Sequence, residues 1–425
     1  MSSGWMARSV LCSEKLGGDV IERVLSGRIQ TRLREADLPL AVTLWNGECL
    51  SGSEPVKVTL HVKSTRGLKA LAEPTLGALG RAYVEGDIDL TGDLRDVLAQ
   101  ADRFADSGVR RGASAGWSWR PRSRDRDRKN IQYHYDVSNE FYGLWLDSRR
   151  VYSCAYFGGQ DESLDDAQRA KLDHICRKLA LKEGERLLDI GCGWGGLIFH
   201  AAEHYGTEAF GVTLSEQQHA YVREQIRARG LADRVRVELL DYRDIPERET
   251  FDKVASVGMF EHVGRDRLTS YFEKIHALLK PGGLLLNHGI TSALMDVKGL
   301  GGGISEFIED YVFPGGELCH VSEVLEATTR GGLESLDAEN LRPHYARTLW
   351  QWVDRLERSA SRARSLVGEK RFRIWRVYMA GSAHAFDHGW LELWQVLAGR
   401  PLADGSQPAY PFRRDYMYNW ATPGA

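Results

Sequence analysis

The chain has 425 residues, 43% of them hydrophobic and 27% charged, with a formal net charge of −3. This length and apolar fraction fit roughly two or three domains with sizeable cores, and the near balance of charge argues against a nucleic-acid partner. The six cysteines, Cys12, Cys49, Cys154, Cys176, Cys192 and Cys319, include no C-x-x-C pair, so neither a metal site nor a disulfide framework is indicated and a reducing cytoplasm is the natural compartment.

Met1–Leu16 contains no continuous apolar run, which predicts no signal peptide. No uncharged apolar stretch reaches the length of a membrane span, so any membrane contact is expected to be peripheral. Arg23–Ala36 reads as a helix. Leu38–Trp45 and Val56–Val62 read as strands, the second alternating cleanly, with turns at Asn46-Gly47 and Gly52. Helical stretches are expected at Leu68–Arg81 and Arg95–Phe104. Residues 1–108 are thus a small α+β domain. Residues 109–129 form a basic linker holding eight Arg and Lys residues among Gly, Ser, Pro, Trp117 and Trp119. It reads either as a solvated connector or as a contact for anionic lipid headgroups.

Residues 130–425 form the third and largest part. Its first 50 residues are dense in aromatic and polar side chains, a composition of core or of a collar over a ligand. Ser163–Leu179 follows as an amphipathic helix capped by Ser163. Residues 184–292 alternate strand and helix: strands at Arg186–Ile190, Glu208–Leu214, Val235–Leu240, Phe251–Val257 and Leu284–His288, with a turn at Lys280–Gly283 before the last. That is the pattern of a doubly wound α/β sheet. Beyond it, Tyr345–Leu366 and Lys370–Leu397 read as long helices of a cap.

The first of these strands runs into Asp189-Ile190-Gly191-Cys192-Gly193-Trp194-Gly195-Gly196. A glycine-rich strand-to-helix turn brings backbone close to a ligand at the carboxyl end of a parallel sheet. A dinucleotide fold would place an acidic residue after the second strand; Gly211-Val212-Thr213-Leu214-Ser215 stands there instead. The turn resembles the first motif of S-adenosylmethionine (SAM) methyltransferases. The other strand ends are also polar: Thr213, Ser215 and Gln218; Asp241, Tyr242 and Arg243; Glu261 and His262; His288.

Together with His134-Tyr135-Asp136, Tyr152-Ser153-Cys154-Ala155-Tyr156-Phe157, Phe260-Glu261-His262-Val263-Gly264 and Phe313-Pro314-Gly315-Gly316, these motifs resemble the cyclopropane-fatty-acyl-phospholipid synthase family. The resemblance implies a Rossmann-like methyltransferase core with a helical cap, preceded by a lipid-binding N-terminal domain. It implies methyl transfer from SAM to a cis double bond of an unsaturated phospholipid acyl chain, then ring closure with a bound bicarbonate ion as base. By motif, bicarbonate would be held by Cys154 and Ile290 through backbone groups and by Glu261, His288 and Tyr345 through side chains. The stretch before Tyr345, Arg342-Pro343-His344, departs from the acidic one expected of the family. SAM would be held by Tyr152, Ser153, Asp189, Gly191, Cys192, Gly193, Thr213, Leu214, Ser215, Gln218, Tyr242 and Arg243, with Val257 beside the adenine. The family's bacterial members suggest a homodimer at a membrane surface. A methyl-branched or methylene lipid product, or methylation of a small molecule at N or O, are the alternatives.

Overall fold

The computed structural model describes residues 22–105, 138–246, 248–295, 300–313, 317–406 and 410–418. The basic linker and the His134–Asp136 motif lie outside the described residues, as do Pro314–Gly316.

Seven strands form the larger sheet: β5 (Arg186–Ile190), β6 (Glu208–Thr213), β7 (Val235–Leu239), β8 (Phe251–Val257), β9 (Leu279–Ser292), β10 (Glu334–Asn340) and β11 (Leu391–Gly399). Their order is β10-β11-β9-β8-β5-β6-β7. All neighbouring pairs from β9 to β7 are parallel, and β11 alone runs against the rest. The chain starts in the middle at β5, builds outward to β7, then crosses back to β8. The order therefore reverses between β5 and β8, where open α/β sheets bind ligands.

Two expectations fail here. Residues 391–399 are a strand, not the end of a helix; the second long cap helix stops at Asp387. The aromatics Trp390 and Trp394 imitate a helical stripe, but Leu391, Leu393 and Gln395 alternate in burial with Glu392 and Trp394, the period of a strand. The Lys280–Gly283 turn is absorbed into the start of β9, where the register on β8 shifts between Phe251 and Lys253.

Residues 22–105 form a four-stranded sheet, ordered β2-β1-β3-β4, with helices around it: β1 (Leu40–Thr43), β2 (Cys49–Ser51), β3 (Val58–Val62) and β4 (Ile88–Thr91). The expected helix over 68–81 is two helices, Thr65–Ala72 and Leu76–Val84, because Pro74 cannot continue the first. This unit does not stand apart. One apolar cluster runs from Ile29 and Leu33 through Tyr83 and Phe104 to Trp352, Trp375 and Leu393. Arg373, 8% exposed, crosses the seam and donates to the carbonyls of Tyr83 and Ile88. Among the described residues, no helix is long and apolar enough to cross a membrane.

Candidate active site

Two cavities meet at the carboxyl ends of β5, β8 and β9. The first, about 720 Å³, opens over the switch between β5 and β8. Its walls hold Tyr152, Ser153, Asp189, Gly191, Cys192, Gly193, Thr213, Leu214, Gln218, Tyr242, Arg243 and Val257. Twelve of the thirteen expected cofactor residues are thus brought to one place. The exception is Ser215, whose hydroxyl accepts from the backbone N–H of Gln218 and caps the helix Glu216–Ala228. Gly191 takes φ +81°, a left-handed conformation that side chains resist; it turns the chain from β5 into the cleft. Thr213 Oγ1 donates to Gln218 Oε1 at 2.8 Å, which fixes that amide at the end of β6.

The second cavity, about 290 Å³, is mainly apolar. It starts at Cys154, Glu261, His288, Ile290 and Tyr345, all five expected catalytic residues. From there it passes Leu349, Tyr378, Phe386 and Trp390 and ends between Leu40, Val58, Leu60, Leu90 and Phe104 of the smaller sheet. Tyr152, Ser153, Gly258 and His262 line both cavities.

At the junction, the N–H of Ile290 donates to Glu261 Oε1 at 2.8 Å. Glu261 Oε2 is buried without a partner. Burial pushes this carboxyl up to about 7, against the opposing pull of the Ile290 bond. His288, 1% exposed, is held far below the usual imidazole range, first by burial and then by Lys171, Lys178 and His174, so it is neutral. Its Nδ1 lies 3.2 Å from Gln395 Nε2, and its Nε2 is buried without a partner. The Cys154 thiol is fully buried and driven up by desolvation, which removes it as a nucleophile. Tyr345 packs edge-on against Trp352 and lies 4.8 Å, centroid to centroid, from Phe386.

Several contributors escape a motif reading. Gly289 is one: a Cβ there would collide with the Phe260 ring and stand 3.0 Å from Glu261 Oε1. Others lie on the helix Leu164–Lys178. Gln168, Lys171, His174 and Lys178 are all buried, at 1% exposure or less. Gln168 Nε2 donates to the Ser153 carbonyl and Lys171 Nζ to the Ser153 hydroxyl, each at 2.8 Å. Lys171 also lowers the carboxyl of Asp189, which burial nonetheless raises to about 7. Polar residues at helical spacing on the face that carries Leu172 and Ile175 were the available signal.

A parallel sheet with a glycine turn at its switch point, and beside it an acid and an imidazole that each keep one buried atom without a partner, fit a SAM-dependent methyltransferase. A family model described as mycolic acid cyclopropane synthetase matches residues 122–396, and the chain belongs to that family. A second model, described only as a domain of unknown function, matches residues 30–112. A probable fatty acid methyltransferase of Pseudomonas putida is 45% identical over 91% of this chain and 98% of its own length. The cyclopropane-fatty-acyl-phospholipid synthase of Escherichia coli K12 is 37% identical over 65% of this chain and 69% of its own. Among solved structures, the cyclopropane synthase MmaA2 from Mycobacterium tuberculosis superposes with a TM-score of 0.61 at 33% identity, covering 64% of this chain and 98% of that one. The mycolic acid cyclopropane synthase CmaA1, solved with S-adenosylhomocysteine (SAH) and CTAB, gives the same TM-score and identity. SAM is the methyl donor of this enzyme.

Proposed function

We propose that the enzyme cyclopropanates cis double bonds in phospholipid acyl chains. The observation that carries this reading is the meeting of the two cavities at Tyr152, Ser153, Gly258 and His262. A cleft of mixed polarity that would take SAM there abuts an apolar cavity that would take an acyl chain. The reaction balances simply. The sulfonium carbon–sulfur bond breaks as the methyl carbon bonds to one alkene carbon, leaving SAH and a cationic chain; loss of a proton from the new methyl group closes the ring. Alignment of methyl and alkene supplies much of the rate. Tyr152, Tyr345, Tyr378 and Phe386 line the second cavity and would give it π-rich walls that favour a cation.

Bicarbonate fits the junction and would supply the proton acceptor. Two buried atoms without partners, Glu261 Oε2 and His288 Nε2, lie on its wall. A carboxyl raised to about 7 is protonated in much of the population at neutral pH and offers O–H. Tyr345 and the backbone around Cys154 complete the set. Ile290 serves through its N–H, which orients Glu261. The smaller sheet, whose residues wall the far end of the channel, would receive the lipid tail. Action at a membrane surface and a homodimer rest on the family resemblance alone.

The test is incubation with SAM, bicarbonate and vesicles of unsaturated phospholipid. Lipid gaining one methylene, with the high-field proton signals of a cyclopropane, is expected; recovery of unchanged lipid refutes the reading. The Pseudomonas putida relative, a probable fatty acid methyltransferase, favours a second outcome, a methyl-branched or methylene lipid. A methylene lipid would show as the same mass without ring signals and without bicarbonate dependence, whereas a saturated methyl branch would be two hydrogens heavier and would need a separate hydride donor.

A further inference from the structure

Glu339 of β10, Gln395 of β11 and His288 of β9 stand directly opposite one another across three strands. Paired residues in neighbouring strands share one face of the sheet, so the three side chains form a row that ends at the cavity. We propose that Gln395 is a positioning residue that holds His288 in the Nε2–H tautomer, making the imidazole a hydrogen-bond donor toward the ligand at Glu261. The inference rests on reading that junction as an oxyanion site.

Gln395 and His288 are both buried, at 0% and 1% exposure. With Gln395 Nε2 3.2 Å from Nδ1, a proton on Nδ1 would set N–H against N–H. The amide therefore donates to the Nδ1 lone pair, and a neutral ring must carry its single proton on Nε2. Nε2 has no partner in the protein, and His288 lines the cavity beside Glu261. The next member of the row does not compete for the Gln395 amide. Glu339 Oε2 is taken by Lys178 Nζ at 2.5 Å and His174 Nε2 at 2.9 Å, and Tyr156 donates to Oε1. Lys178 and His174 belong to the helix that covers this face, so the row is clamped from above. With the Gln395 amide reversed, Nδ1 would be the donor. Nε2 would then turn a lone pair toward the anion, and the site would lose a donor.

The experiment uses full-length protein labelled with nitrogen-15 at histidine, with His288 assigned through His288→Asn. Two-bond proton–nitrogen spectra distinguish the tautomers. The wild type is expected to show Nε2–H. Gln395→Glu, whose carboxylate accepts from Nδ1–H, should move the proton to Nδ1. Gln395→Met, isosteric and apolar, guards against a misfolded acid variant and should leave both tautomers visible. In assays, half-saturating bicarbonate should rise about 10- to 100-fold in Gln395→Glu, the effect of one lost hydrogen bond to a charged ligand. SAM affinity should hold within about threefold, below half the energy of such a bond. Nδ1–H in the wild type, or an unchanged tautomer in both variants, overturns the proposal. Failure of the oxyanion reading looks different: the tautomers behave as expected while wild-type activity ignores bicarbonate.

Discussion

The backbone N–H of Ile290 reaches Glu261 Oε1 at 2.8 Å across the gap between β9 and the turn after β8, leaving Oε2 buried without a partner. One oxygen is anchored and the other is free to act, which defines both the chemistry and a measurable pH signature. The carboxyl is raised from 4.5 to about 7. Its folded form therefore binds a proton that the unfolded chain releases, and its contribution to stability is complete below pH 4.5 and lost as pH rises through about 7.

Glu261→Gln keeps the acceptor for Ile290 and abolishes that titration. Compared with the wild type without ligand, the variant should gain about 2–3 kcal/mol as pH climbs from about 4.5 to 8, because each tenfold change in proton affinity is worth about 1.4 kcal/mol. Thermal melts of both proteins across that range measure the difference directly. Turnover should fall by about 10-fold or more, since the amide offers the anion a weaker donor than the acid O–H and cannot exchange a proton with it.

Gly289→Ala would push a methyl group into Phe260 and toward Glu261 Oε1. Overpacking should cost about 1–3 kcal/mol in stability, and the displaced carboxyl should cost far more in rate than in SAM binding. Calorimetric SAM affinity within about threefold of wild type, alongside a rate loss of about 10²-fold, is expected, because a small misplacement near the reacting atoms has that effect. Equal losses in both would place Gly289 in the SAM site instead.

Lys171→Met removes the donor to Ser153 Oγ and the cation that lowers Asp189. Asp189 should then rise above its present value of about 7 and be neutral at physiological pH. SAM binding should weaken roughly tenfold, the effect of one charged hydrogen bond. Titration calorimetry at about pH 7 and pH 9 checks the sign: the deficit shrinks at the higher pH, where Asp189 ionises again.

A Cβ added at Gly381 meets nothing within 4 Å, and this residue of the helix Ala360–Asp387 lines the apolar cavity. Gly381→Ala should raise stability by about 0.5–1 kcal/mol, the usual helical gain. Gly381→Leu should fold equally well and block the channel. Its activity on long unsaturated chains should drop severalfold while SAM affinity stays unchanged; full activity would show that the substrate does not pass this point.

Two arginines bridge the smaller sheet's unit to the cap helices with different expected weight. Arg95 makes a two-pronged pair with Asp354, both partners about half exposed. Arg95→Ala should cost no more than about 1 kcal/mol. Arg373 is buried against Tyr83 and bonded to backbone carbonyls. Arg373→Ala should cost about 3 kcal/mol or more, as removal of one member of a buried network does. Hydrogen exchange over residues 22–105 should rise in the second variant only.

By itself the sequence determined the parallel core, because β5 to β8 are short, regular and bounded by clear turns, and their bounds agree with the structure to within a residue or so. The resemblance of its motifs named candidate residues for SAM and for an anion, and the fold gathers twelve of the thirteen SAM candidates and all five anion candidates around two adjoining cavities. Tertiary structure decided the rest. Residues 391–399 became a strand because β9 offers an antiparallel edge from Leu284 to Ser292, which outweighs a helical spacing of tryptophans. That pairing put Gln395 beside His288, a contact of residues 107 apart in the chain that no local pattern encodes. Burial, likewise a property of the assembled fold, pushed Glu261 and Asp189 up and His288 down. The smaller sheet offered no catalytic cluster to read, and only the assembled fold shows that its apolar residues line the second cavity.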